Sequence, residues 1–188
     1  ALRQAMADVV ARHEVLRTRY PDQRPEVLDD PEIVVETVTD PTDLARVAGH
    51  AFDLATEIPI RVATTDDVAL VTIHHIATDE WSAPPLRADL TTAYRARADG
   101  RAPQWPRLPL QYSDFAAWQR DLIEGGRGER QLAFWRKTLH GLPDELALPY
   151  DHTRPPRPSG RGDGVFLALR AELVGDLRRL AAATGTSM

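Results

Sequence analysis

The sequence predicts an α/β fold in which strands and helices are mixed along the chain. Apolar residues recur at i, i+4 and i+7 through several stretches, the period of a half-buried helix. Between these lie β-branched runs of strand length, and proline, glycine and aspartate punctuate the joins.

Leu2, Met6, Val9 and Val10 share one face of a helix over residues 2–13. Residues 15–20 have the composition of a strand, stopped by Pro21, and the β-branched residues 33–38 make a second. Asp40-Pro41-Thr42-Asp43 supplies cap chemistry, with proline early and acids in the first turn, for a helix over 42–52. Two apolar runs, 58–65 and 68–75, are joined by Asp66-Asp67 and read as a hairpin. Ser82 and Pro84-Pro85 open a helix whose Leu86, Leu90, Ala93 and Tyr94 face one way, through residue 98. Beyond Gly100, Pro103, Pro106 and Pro109 make an extended connector. Tyr112, Phe115, Trp118 and Leu122 then share a helix face, Gly125-Gly126 breaks it, and a further helix covers 128–139. Residues 141–162 are too rich in proline and glycine for a regular element and read as a long surface loop. A strand over 165–169 and a helix over 171–183 complete the pattern. The chain opens inside a helical pattern and closes on Thr184–Met188 without a structural stop, so it is expected to be a piece of something longer.

Hydrophobic residues make up 43% and charged residues 27%, an ordinary globular balance. The net charge of −5 argues against tracking nucleic acid, which calls for a basic patch. No apolar run approaches the ~20 residues of a membrane span and no secretory signal opens the chain, so the expected location is the cytoplasm. Cysteine is absent, which removes disulfides, thiolate metal sites and a cysteine nucleophile together. Any thioester chemistry must therefore use a sulfur brought by the substrate.

Chemistry concentrates in His74-His75-Ile76-Ala77-Thr78-Asp79, where an apolar strand gives way to a loop. Neighbouring side chains on a strand point to opposite faces, so His74 and His75 cannot share one task. Asp79 can fold back to hold the loop or an imidazole, or cap a turn before the next helix. Two histidines and a carboxylate also suit a metal. Adjacent strand histidines diverge, however, and zinc sites favour a helical i, i+4 pair, so no metal is expected. A second constellation runs from Arg12 to Tyr20, with basic residues near a helix C-terminus. There Arg17, if turned inward, needs a carboxylate partner. The third is Tyr112–Gln119, whose ordinary meaning is aromatic core packing.

Taken in order, these segments resemble the condensation domains of nonribosomal peptide synthetases. HHIATDEWS (74–82) resembles that family's HHxxxDG motif, RHEVLRTRY (12–20) its RHExLRTxF segment, and YSDFAAWQ (112–119) its YxDFAxWQ segment. Phe134-Trp135 and the stretch Leu148–Pro155 are similar as well. The resemblance implies a chloramphenicol-acetyltransferase-like lobe, a mixed sheet with flanking helices. Residues 1–188 would be most of the N-terminal lobe, lacking the family's opening motif and the C-terminal lobe that faces it across a V-shaped cleft.

The reaction so implied joins a donor aminoacyl or peptidyl thioester to the amine of an acceptor aminoacyl thioester. Both arrive on phosphopantetheine arms of donor and acceptor peptidyl carrier domains, and no cofactor is bound directly. By the same likeness His75 is the catalytic residue, with His74 and Asp79 in support. Asp79 is expected to pair with an arginine of the upstream segment, Arg17 rather than Arg12. The motif's glycine is Glu80 here, which with Ser82 belongs to the loop or the acceptor channel. Glutamate there either reshapes a turn built for glycine or narrows and charges the channel. The DEWS variant is similar to domains that take D-configured donors. Two alternatives stand beside this reading: a coenzyme A-dependent acyltransferase of the same superfamily, and a degenerate recruitment module without catalysis. With an inter-lobe face exposed, the chain alone is expected to be inactive and prone to aggregate or dimerise.

Overall fold

The computed structural model describes residues 1–188 except 154, 158, 161 and 163, with the backbone alone at residues 41 and 42. The chain divides into two compact units, Ala1–His140 and Gly141–Met188.

In the first unit, α1 (Leu2–Arg12) buries Ala5, Met6, Val9 and Val10, the i, i+4 stripe expected of a helix packed on one side. A short 3-10 turn, Glu14–Arg17, leads into β1 (Thr18–Arg19), which pairs antiparallel with β2 (Glu26–Val27). A separate sheet holds β3 (Val35–Thr37), β4 (Ile60–Thr64) and β5 (Ala69–Ile73) in that order. Between β3 and β4 runs α2 (Pro41–Ala48). β3 lies parallel to β4, with Val35 beside Val62, and β4 lies antiparallel to β5, with Ile60 opposite Ile73. The sheet is therefore mixed, and the expected hairpin joined at Asp66-Asp67 is present.

Alternate residues of β4, Ile60 and Val62, point into a core shared with Met6, Val9, Val10, Leu16, Ile33, Ile58 and Ala93. Ala93 belongs to α3 (Ala83–Ala98), which packs antiparallel to α1. Ion pairs bracket that packing. Asp8 accepts two hydrogen bonds from Arg97 at 2.7 and 2.6 Å, and Asp89 accepts one from Arg12 at 2.8 Å.

The expected strand over 15–20 is mostly not one. Leu16 must drop into the core where the chain turns out of α1, and its amide bonds the His13 carbonyl in a tight turn, leaving two residues of strand. The helix expected over 42–52 stops at Ala48. α4 (Tyr112–Leu122) and α5 (Gly128–Thr138) are joined by a kink at Gly126, whose φ of 89° is left-handed. Tyr112, Phe115 and Trp118 stack in series at 5.8 and 5.5 Å between ring centres. They nonetheless stay exposed, so the aromatic face is not core in this chain.

In the second unit, residues 165–169 form no strand, and Val165, Phe166 and Leu167 lie in solvent. A strand exists only by pairing, and among the described residues of this unit there is no second strand to pair with. α6 (Ala171–Thr184) follows and ends on Gly185 at φ 67°, where Thr186 donates back to Ala181 at 2.9 Å, a stop the sequence reading did not register. Residues 154, 158 and 161 of the expected loop 141–162, Arg154 of the stretch Leu148–Pro155 among them, lie outside the described residues.

Candidate active site

β5 ends at Ile73, and the two histidines lie in the turn that follows, not on the strand. The His74 amide still bonds Pro59 at 3.0 Å, and Ala77 then closes the turn onto the His74 carbonyl at 2.9 Å. The His74 Nδ1 accepts from the Ile76 amide at 3.0 Å, and the ring stands edge-on to Phe52. His74 is thus consumed in holding the turn. His75 is exposed, and its Nδ1 lies 3.0 Å from the Thr78 carbonyl oxygen. A carbonyl only accepts, so Nδ1 carries the hydrogen and the neutral ring keeps its lone pair on Nε2. That nitrogen has no hydrogen-bond partner among the described residues.

Asp79 closes the loop. Its Oδ1 accepts from the Ser82 hydroxyl at 2.6 Å and the Ser82 amide at 2.9 Å, while its own amide donates to the Ser82 Oγ at 3.2 Å. This reciprocal cap leads through the 3-10 turn Glu80–Ser82 into α3. The Ser82 hydroxyl, helped by backbone amides, holds the Asp79 carboxyl below the usual carboxylate range. Glu80 occupies this capped turn, exposed, in place of the motif glycine.

The expected pairing of Asp79 with Arg17 is not formed. Arg17 donates to the Leu28 carbonyl at 2.6 Å and lies 3.7 Å from Glu14, while its buried Nε finds no partner. Arg12, the other choice, donates to Asp89 and to the Pro106 carbonyl, both at 2.8 Å, and stacks over Trp105. A serine three residues from Asp79 captures it locally, and both arginines are taken by nearer acceptors.

What the structure does bring together is the set of three segments. A cleft of about 210 Å³ is lined by Val15, His75, Asp79, Ser82 and Tyr112, drawn from all of them. Gln111 stitches two of these segments to each other. Its Oε1 accepts from the Glu14 amide at 3.1 Å and its Nε2 donates to the Arg12 carbonyl at 3.0 Å. Asp114 in turn accepts from the Gln111 amide at 2.9 Å.

Sequence reasoning missed Gln111 and Asp89. The first carried a signal, an acid three residues on at capping-box spacing. The second is a single carboxylate on a helix and carried none. Among the described residues no group of three histidine or acidic side chains is placed to hold a metal, and no helix is long and apolar enough to cross a membrane.

The mixed sheet, its flanking helices and the histidine turn define a chloramphenicol-acetyltransferase-like lobe. The family description "Condensation domain" matches residues 1–188, and the chain belongs to the condensation-domain family. It is 38% identical to the dimodular nonribosomal peptide synthase of Bacillus subtilis, over all of this chain and 9% of that protein. It is 39% identical to the isonitrile lipopeptide synthase of Mycobacterium tuberculosis, over 96% of this chain and 8% of that one. Among solved structures it is similar to the complex of the X-domain and OxyB from teicoplanin biosynthesis. That likeness has 34% identity and a TM-score of 0.84, over all of this chain and 45% of that chain. The chain thus spans less than a tenth of either synthase and under half of the solved domain.

Proposed function

We propose that this chain is the N-terminal lobe of a domain that joins a carrier-bound aminoacyl or peptidyl thioester to the amine of a carrier-bound aminoacyl acceptor. The observation that supports it best is the cleft where three distant segments meet beside the unshared Nε2 of His75. An acceptor α-amine has a pKa near ~8, so a useful fraction is neutral at physiological pH and needs no strong base to attack. Attack on the thioester carbonyl gives a tetrahedral intermediate bearing an ammonium, which is far more acidic. His75 Nε2 takes that proton, the C–S bond breaks, and the proton is available to the departing thiolate. Holding two tethered reactants in register lowers the barrier further, by ~7 kcal/mol or more when alignment is good.

His74, Asp79 and Ser82 serve by fixing the turn that aims His75. By this reading Glu80, exposed in that turn, borders the acceptor channel. Arg17 acts at a remove, bracing the 3-10 turn that carries Val15 to the cleft. The sulfur comes with the phosphopantetheine arms of donor and acceptor carrier domains, since the chain has no cysteine.

The test uses the full parent protein with both carriers loaded, following the acceptor carrier's mass for wild type and His75→Ala. Transfer by wild type and a fall of about 100-fold or more in the variant is the expected outcome. Equal transfer by both removes His75 from the chemistry. A second reading, recruitment without catalysis, is favoured by the likeness to an X-domain solved in complex with OxyB. It predicts no transfer under any loading by a protein that still binds its carriers.

A further inference from the structure

Beneath the histidine turn lies a second cavity, of about 160 Å³, which the chemistry above leaves unused. We propose that it takes the aliphatic or single-ring side chain of a carrier-bound aminoacyl group, with Leu86 and Ile73 setting the selection. This rests on the condensation reading.

The chamber shares Val15, Ala77, Thr78 and Ser82 with the His75 cleft, so the two adjoin and a molecule whose reacting end lies beside His75 can seat a side chain in it. Its remaining walls are Leu16, Ile73, Pro85 and Leu86, with His13 on one side. A cavity of about 150 Å³ with aliphatic walls admits a benzene ring, so the side chains of valine, leucine and phenylalanine fit more readily than the larger indole. The one charged neighbourhood at its wall is already matched. His13 Nε2 lies 2.8 Å from Asp89, which Arg12 also engages. A lysine or glutamate side chain would enter without a free partner, and an unpaired charge in an apolar chamber is strongly disfavoured. Leu86, on the first turns of α3, lines this chamber and not the His75 cleft, so it can be changed without touching the reacting groups.

The experiment uses the full parent protein with loaded carriers. The donor and then the acceptor aminoacyl group is varied through glycine, leucine, phenylalanine, tryptophan and glutamate. Wild type is expected to transfer leucine and phenylalanine at least about tenfold better than tryptophan or glutamate in one of the two arms, and that arm identifies which substrate uses the chamber. Leu86→Trp fills the space, so the advantage of leucine and phenylalanine over glycine disappears. Leu86→Ala opens it, and tryptophan is accepted. The same rank order in wild type and both variants overturns the proposal.

If wild type transfers nothing, the condensation reading fails by itself and the chamber is read by binding. Saturation-transfer NMR with leucyl-pantetheine amide should then give a signal with wild type and Leu86→Ala and none with Leu86→Trp. Equal signals from all three, or none from any, overturn the chamber as a site.

Discussion

Replacing Asp89 with alanine tests the joint between the helices that carry the site. Asp89 Oδ2 accepts from Arg12 Nε and from His13 Nε2, each at 2.8 Å, and so ties the C-terminal end of α1 to the second turn of α3. A hydrogen bond to a charged group is worth ~1.5–3 kcal/mol net, whereas an ion pair in open solvent is worth about 0–1. Here the Arg12 side chain is 10% exposed and Asp89 20%, closer to the buried case. Breaking a fully buried pair costs about 3–5 kcal/mol. Arg12 keeps the Pro106 carbonyl and the face of Trp105 after the change, which softens the loss. The expected cost of Asp89→Ala is therefore about 2–3 kcal/mol, or roughly 4–12 °C in Tm for a chain of this length. Thermal and urea melts by circular dichroism read it. Asp99→Ala is the control, because the Asp99–Arg101 pair is 64% and 72% exposed and should cost under about 0.5 kcal/mol. If the two variants melt alike, the joint is no more than a surface pair and the reasoning fails.

Ser82→Ala should return the Asp79 carboxyl toward its ordinary value, since the serine hydroxyl is the largest cause of its depression; an NMR titration that leaves Asp79 unmoved would contradict this. Because the folded value lies below the unfolded one, the contribution of Asp79 to loop order is present above the unfolded value and is lost only as the pH falls through the folded one. At neutral pH it is therefore fully in place, and unlocking of the loop belongs to acid below about pH 4. Gly126→Ala forces a side chain into left-handed backbone between α4 and α5, at about 1–2 kcal/mol, while Gly125→Ala at φ −69° should cost little. Equal denaturation midpoints for the two variants would refute that account of the kink.

The parts of this fold that show in the sequence are those set by local period. The α1 stripe, the 58–75 hairpin and the spans of α3 to α6 follow from apolar spacing and turn residues, because each buries one face whatever its partner. Residues 15–20 and 165–169 have strand composition too, yet one is mostly a 3-10 turn and the other is unpaired. Pairing is a property of two segments, and composition describes one. The same limit explains Asp79. Its serine partner lies three residues away at cap spacing and was visible, whereas the expected arginine lay some sixty residues upstream with nearer acceptors at hand. Asp89 reaches across 77 residues to Arg12, and no local pattern marks such a contact.

The two adjacent histidines differ in a way that strand alternation does not describe. Strand alternation separates two neighbours by face, but His74 and His75 lie past the strand, where hydrogen bonding separates them instead. His74 Nδ1 accepts from a backbone amide, so its neutral ring carries the hydrogen on Nε2. His75 Nδ1 donates to a backbone carbonyl, so its neutral ring leaves Nε2 bare. The same residue type at adjacent positions thus presents opposite tautomers, one offering a hydrogen and the other a lone pair. In the proposed reaction it is the lone pair that an ammonium shedding a proton needs. Exposure and the free lone pair thus fall on the same histidine, and the turn geometry, rather than the sheet, sets the two apart.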